Sequence, residues 1–251
     1  MALRLHVVRS ASPAVFHRLC LDEALYRDKQ KRCWLVVDQV NPSIDYQPSI
    51  VLGLSGKVAE HVYEEKARQD NVQLLRRFTG GGTVSVDHNV FLISLICNAS
   101  LIPPLNSHKA YPREIMAWTD EKVFRPAFDA VKLDRHAKFM ARENDYVIDD
   151  RYKIGGNAQG ISGDRFVHHT SFLWRVNPIM MSYLQMPTKR PEYREGRDHV
   201  SFLRGLEPYV ASKQAFVDAV VDSYSEALMA TELYYDPELP PMVEETRNRI
   251  L

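Results

Sequence analysis

The sequence predicts an α+β fold: a single domain over residues 1–251, built on a mixed or antiparallel β-sheet flanked by helices. Three observations carry this expectation. Helical and strand-like periodicities interleave along the chain and do not separate into blocks. Two pairs of strand patterns are joined by turn chemistry, one across Asp149-Asp150-Arg151 and one across Gly160-Ile161-Ser162-Gly163-Asp164. Residues 90–97 are apolar at nearly every position, as a strand covered on both faces requires.

In chain order, residues 3–8 alternate like a first strand. Residues 13–31 read as a helix, with Pro13 in its first turn and Val15, Leu19, Ala24 and Leu25 on one face. Residues 33–38 and 50–54 are strands, separated by a loop from Asn41 to Ser49. Residues 58–69, rich in Ala, Glu and Lys, suit a surface helix. Residues 112–129 suit another, which Pro126 is expected to end or kink. Residues 130–133 read as a short strand, 146–148 and 152–154 as a hairpin, and 166–176 as a long strand. Residues 178–205 read as a polar irregular loop. Ser212 is an N-cap for a helix reaching about Met229; a short strand at 233–235, Pro240-Pro241 and a last helical turn or two follow.

The 45% apolar and 25% charged residues are ordinary for a soluble globular protein. A formal net charge of zero argues against an overall electrostatic nucleic-acid binder. Cys20, Cys33 and Cys97 are too few and too scattered for a disulfide framework or a zinc site, which suits a reducing compartment. No apolar run approaches the roughly 20 residues that span a bilayer. Arg4, Arg9 and Arg18 precede the first acid, Asp22, so a mitochondrial address is the alternative to a cytoplasmic one.

Chemistry concentrates in two stretches. In Arg76-Arg77-Phe78-Thr79-Gly80-Gly81-Gly82-Thr83-Val84-Ser85, three glycines remove every Cβ from a short loop. Its bare N–H groups can then approach an anion, and two forked guanidinium donors stand beside it. The same stretch equally suits a tight β-hairpin with two solvated arginines. About seventy residues later, Asn144-Asp145 precedes Lys153-Ile154-Gly155-Gly156-Asn157-Ala158. A strand lysine before two glycines can reach across a groove to a phosphate or an acyl carbonyl; a solvent-facing lysine is the plainer alternative.

Together with His168-His169-Thr170-Ser171, these stretches resemble the lipoate–protein ligase A family, within the wider biotin and lipoate ligase superfamily. The likeness extends over about residues 3–230 and includes Leu21-Asp22-Glu23-Ala24-Leu25. It implies two-step acyl transfer: lipoate and ATP give lipoyl-AMP, and the acyl group then passes to a lysine of a lipoyl carrier domain. Such carriers include 2-oxoacid dehydrogenase E2 subunits and the glycine-cleavage H protein. By the resemblance, Arg77, Gly82, Thr83, Val84, Ser85, Asn144, Asp145 and Lys153 contact the nucleotide. Arg77, Gly81, Gly82 and Lys153 contact lipoate, Lys153 is catalytic, and Asp145 is a Mg²⁺ ligand. The apolar tail of lipoate is expected to lie between the strands that flank the glycine loop.

The sequence departs from the family pattern at three places. A glutamine usual after Gly53 is missing from Leu54-Ser55-Gly56-Lys57-Val58, Val86 replaces a histidine, and His-His-Gly-Thr reads His168-His169-Thr170-Ser171. The chain ends about 20 residues after the 212–229 helix, so no C-terminal accessory domain is expected and a separate accessory protein is a possible partner. The alternatives are a lipoyl or octanoyl transferase using a pre-activated donor, and a non-catalytic binder of lipoyl domains. A cysteine-dependent transferase is disfavoured because residues 177–251 hold no cysteine and Cys97 lies in an expected buried strand. The histidine pair is expected to point to opposite sides of its strand, one to the groove or core and one to solvent. Lys189, Arg190, Arg194, Arg197 and Arg204 form a basic loop suited to covering an adenylate or steering an acidic carrier. No nucleic-acid or membrane partner is expected.

Overall fold

The computed structural model describes residues 3–12, 14–39, 46–102, 105, 109, 111–235, 239 and 245–251. The features expected at Pro13, Asn41 and Pro240-Pro241 lie outside them. The described strands are β1 (Arg4–Ser10), β2 (Cys33–Asp38), β3 (Ser49–Leu52), β4 (Gln73–Arg76), β5 (Val84–Val86), β6 (Val90–Asn98), β7 (Phe139–Arg142), β8 (Asp145–Ile148), β9 (Tyr152–Ser162), β10 (Arg165–Leu173), β11 (Glu232–Tyr235) and β12 (Arg249–Ile250). The described α-helices are α1 (Val15–Tyr26), α2 (Val58–His61), α3 (Glu64–Gln69), α4 (Pro112–Thr119), α5 (Arg125–Ala130), α6 (Pro178–Met181), α7 (His199–Phe202) and α8 (Lys213–Ala227).

The fold is α+β, with two mixed sheets flanked by helices. The larger sheet runs β11-β1-β2-β6-β10-β9-β8-β7, and the smaller runs β12-β4-β3-β5. β1 is parallel to β2 and β11, and the other pairs of the large sheet are antiparallel. β6 lies between β2 and β10 as its apolar sequence predicts, with Phe91, Ile93, Leu95 and Cys97 wholly buried. One face of the sheet packs on α5 and α8 through an aromatic cluster of Phe91, Phe124, Phe128, Phe172 and Phe216. Each such ring contributes on the order of 1.5–3 kcal/mol by leaving water. On the other side, Val15 and Leu19 of α1 pack with Ile50, Val51, Leu75 and Leu173 between the two sheets.

Several expectations are corrected. The first described helix stops at Tyr26, and Lys31 adopts a left-handed φ of 51°. The 58–69 helix breaks at Val62, whose backbone bridges to Leu184. Pro126 does not end the 112–129 helix. A π turn over Asp120–Phe124 immediately precedes α5. That wider turn already interrupts the i→i−4 ladder where a proline could not donate. Residues 131–133 are a turn after α5, with Lys132 at φ 53°; the strand in this region is β7. Gly160, Ile161 and Ser162 remain in β9, so only Gly163 and Asp164 turn. The 178–205 stretch is not a plain loop: it holds α6, α7 and a 3₁₀ turn at Glu192–Arg194. Among the described residues 245–251 there is no helical turn; β12 stands there instead. Ser212 caps α8 as expected, accepting from the Ala215 N–H.

Candidate active site

The glycine loop is not a hairpin. β3 lies between β4 and β5, so residues 77–83 cross over from one to the other. The loop folds tightly onto the end of β3, where the Leu54 N–H donates to the Thr79 carbonyl at 2.9 Å. A Cβ on Gly53 would stand 2.2 Å from the Gly81 oxygen, so only glycine allows this approach. Gly81 itself sits at φ 94°, a region closed to most side chains.

Arg77 is 4% exposed. Its guanidinium donates to Gly80 O at 2.7 Å and 3.1 Å, to Gly82 O at 2.6 Å and to Val51 O at 3.3 Å. It therefore staples the loop from within while also lining the cavity. Burial lowers its pKa to about 10, which leaves it charged at neutral pH. Arg76 does not join it: its guanidinium donates to Gly56 O at 2.9 Å and is not part of the cavity wall.

Lys153 depends on an irregularity in β9. Tyr146 pairs with Gly155 and Val147 with Lys153, so one extra residue bulges from β9. Asp145 pairs with Gly156 beyond the bulge, and alternate residues Asp145 and Val147 share a side of β8. The bulge thus brings Lys153 and Gly156 to one face although they are three residues apart. Lys153 Nζ lies 2.7 Å from Asp145 Oδ1, and Asp145 Oδ2 accepts from the Tyr193 hydroxyl at 2.8 Å. Burial and this carboxylate push the Tyr193 phenol well above its ordinary range.

A cavity of about 870 Å³ joins these parts. Gly81, Gly82, Thr83, Val84 and Ser85 line it together with Asn144, Asp145, Lys153, Gly155 and Gly156. Its apolar wall includes Val15, Leu19, Val51, Leu92, Leu173 and Met181. Of the two strands flanking the loop, β5 lines the cavity and β4 does not; β3, β6, β10, α1 and α6 are among the other elements that line it. Of the basic loop, Lys189, Arg190 and Arg194 reach the cavity wall, whereas Arg197 and Arg204 do not.

The histidines point to opposite sides, but neither faces solvent. His168 is fully buried between Gln159 and Tyr146, and burial lowers its pKa to about 3. His169 lines the cavity with its Nδ1 3.3 Å from Asp22 Oδ2. Behind it, Arg18 pairs with Asp22 at 3.1 Å and Asp38 at 2.6 Å, and Ser94 Oγ donates to Asp22 at 2.7 Å. Burial alone would raise the Asp22 carboxyl, but Arg18, His169 and Ser94 together outweigh it and hold it below the ordinary range. Sequence reasoning missed this group. Its signals were Arg18 and Asp22 four apart on an apolar helix face, and a lone Ser94 in an apolar strand.

Among the described residues no group of three His, Cys, Asp or Glu side chains is placed to hold a metal ion. Asp145, with lone pairs left beyond Lys153 and Tyr193, fits a Mg²⁺ held mainly by substrate phosphates and one carboxylate.

A family model described as the lipoyl protein ligase A/B catalytic domain matches residues 19–225. The chain belongs to that family. Among curated relatives of this lipoyl ligase-family chain is the Plasmodium falciparum protein named inactive lipoate–protein ligase 2, 28% identical over 236 residues. The alignment covers 77% of this chain, which spans only 61% of the relative's length. Among solved structures, the bipartite lipoate protein ligase of Thermoplasma acidophilum, described with its E2 lipoyl domain, has a TM-score of 0.72 at 19% identity. It covers 96% of this chain and 88% of its own. A lipoate–protein ligase A bound with ATP has a TM-score of 0.69 at 20% identity, covering 95% and 89%. At these identities the two structures establish the shared fold. No helix among the described residues of the family member is long and apolar enough to cross a membrane.

Proposed function

We propose that this chain activates lipoate with ATP and passes the lipoyl group to a lysine of a lipoyl carrier domain. One observation carries the reading: a single cavity holds the glycine loop, the Lys153–Asp145 pair and an apolar wall. In the first step a lipoate carboxylate oxygen attacks the ATP α-phosphorus and pyrophosphate leaves. Loop N–H groups and Lys153 are suited to the charge that builds on the phosphoryl oxygens. Arg77, Gly82, Thr83, Val84, Ser85, Asn144, Asp145 and Lys153 are proposed to face the nucleotide. Arg77, Gly81, Gly82 and Lys153 are proposed to face the lipoyl group. Asp145 would hold the Mg²⁺ that accompanies ATP, and the ion, when bound, would offset phosphate charge. In the second step the carrier amine attacks the acyl carbon, a C–N bond forms, and the C–O bond to AMP breaks with loss of one proton. Lys153 donates to the carbonyl oxygen or to the departing phosphate.

The Thermoplasma ligase is bipartite and is described with an E2 lipoyl domain. By extension, this chain is proposed to act on E2 and H-protein carriers, with a separate accessory protein, in the cytoplasm or in mitochondria. A second reading, transfer from pre-made lipoyl-AMP, is favoured by Val86. It is an apolar residue in the cavity wall where the family pattern has a histidine, and the Plasmodium relative is named inactive.

Mass spectrometry of an isolated lipoyl domain, after incubation with the protein, lipoate, Mg²⁺ and ATP, separates the readings. Gain of one lipoyl group supports the ligase. Gain only from synthetic lipoyl-AMP assigns the transfer half alone. No gain from any donor sinks both and leaves a binding protein.

A further inference from the structure

Residues 246–251 run back across the molecule onto α1 and β4. Thr246 Oγ1 donates to Glu23 Oε2 at 2.6 Å, and the Arg247 N–H to the same oxygen at 2.9 Å. Asn248 Nδ2 donates to Glu23 Oε2 at 2.9 Å and to Leu19 O at 3.1 Å. Arg249 and Ile250 then pair with Arg76 and Leu75, and the Leu251 N–H donates to Leu74 O at 2.9 Å. Glu23 is wholly buried and Asn248 is 1% exposed, while Ile250 is 58% exposed. This segment is therefore seated by directed hydrogen bonds around a buried carboxylate more than by apolar burial. Arg27 supplies a charged partner for Glu23.

The remaining polar atom of the Asn248 side chain faces the other way. Its Oδ1 accepts from the Phe78 backbone N–H at 2.9 Å. Phe78 joins Arg77 to Thr79 and the three glycines, and its ring lies edge-on to His169 with centroids 5.8 Å apart. An amide N–H shielded from water is costly without an acceptor, and the part-buried Phe78 N–H finds its acceptor in Asn248. One side chain thus ties α1, the chain's last strand and the stem of the glycine loop together.

We propose that Asn248 is a positioning residue for the glycine loop, anchored by Glu23 and acting through the Phe78 N–H. Its consequence for catalysis rests on the loop being the adenylate cradle proposed above; the tether itself does not. With Asn248 in place the loop is set before a ligand arrives, and without it, binding must order the loop at a cost in affinity.

The test uses full-length Asn248→Ala and Glu23→Gln variants. Hydrogen exchange is read over residues 77–83, with β6 and β10 as references, and affinity is measured for lipoyl-sulfamoyladenosine, an unreactive acyl-adenylate mimic. Both variants should speed exchange over 77–83 about tenfold (~1.4 kcal/mol) and leave β6 and β10 unchanged. Affinity for the mimic should fall by a similar factor, KM for ATP should rise, and kcat should stay within about twofold. The double variant should be no worse than the worse single one, since both cut the same tether. Thr246→Val, which removes the hydroxyl's bonds to Glu23 and Asn248 but spares the Asn248–Phe78 bond, gives a further variant should either of the others fail to fold. Unchanged exchange over 77–83, or a rise shared by β6 and β10, overturns the tether. A loosened loop with unaltered affinity overturns the positioning role. Failure of the wild type to bind the mimic counts against the proposed function, while the exchange data still decide the tether.

Discussion

Lys153 Nζ lies 2.7 Å from Asp145 Oδ1, and the two side chains meet only because β9 carries a bulge beside Ile154. The pair holds the ammonium at the wall of the cavity that the glycine loop also lines. Lys153→Ala should cut lipoyl transfer by at least about a hundredfold (~2.7 kcal/mol). Mass spectrometry of the carrier domain measures this, and circular dichroism should be unchanged. Activity within tenfold of wild type would remove Lys153 from the reaction.

Gly53→Ala tests the packing beneath the loop. Its new methyl would meet the Gly81 oxygen at 2.2 Å, and that oxygen belongs to backbone that cannot swing aside. We expect a loss of ~1–3 kcal/mol in urea unfolding and weaker binding of an acyl-adenylate mimic. Wild-type values for both would mean the loop floats free of β3.

Arg77→Lys tests the staple. One ammonium cannot serve Gly80 O, Gly82 O and Val51 O in the fixed geometry that the guanidinium fork provides. The expected loss is ~2–4 kcal/mol, read by thermal or urea unfolding, and it should accompany a rise in KM for ATP.

His168 gives a pH signature. Its ring titrates near about 3 when folded because it is buried, with His169 adding to the effect, against 6.5 for an ordinary histidine. The unfolded chain therefore binds the extra proton first as pH falls. This contribution to stability is intact above 6.5 and declines from there toward 3, by up to ~1.4 kcal/mol per pH unit. Urea titrations at pH 7.5, 6 and 5 on wild type and His168→Gln should diverge in slope, the variant being the flatter.

Much of this was legible in the sequence where the signal is local. β2 runs over the expected residues, α8 starts at its serine cap, and β6 sits mid-sheet as its two apolar faces require. The glycine loop and Lys153 also stood out, since glycine runs and a lysine before them are rare local patterns. What escaped depends on neighbours distant in sequence. Nothing near Gly53 says that Gly81 will lie on it, and nothing near Tyr193 says that Asp145 will accept its hydroxyl. Residues 130–133 read as a short strand, yet the π turn before Pro126 lets α5 run on to Ala130. The bulge in β9 is likewise a tertiary matter: alternation alone would have put Lys153 and Gly156 on opposite faces.

The pairing of β11 with β1 and of β12 with β4 bears on how the molecule assembles. Arg4 meets Glu232 and Arg76 meets Arg249, contacts that close loops of 228 (232 − 4) and 173 (249 − 76) residues. Such closures lose chain entropy before any ladder bond repays it, and high contact order slows folding. The central hairpins, with turns of a few residues, are free to form early. The strands that complete both sheet edges, and with them the glycine loop's setting, then arrive last. Refolding kinetics should accordingly show core burial, followed by tryptophan fluorescence, ahead of the capacity to bind an adenylate mimic.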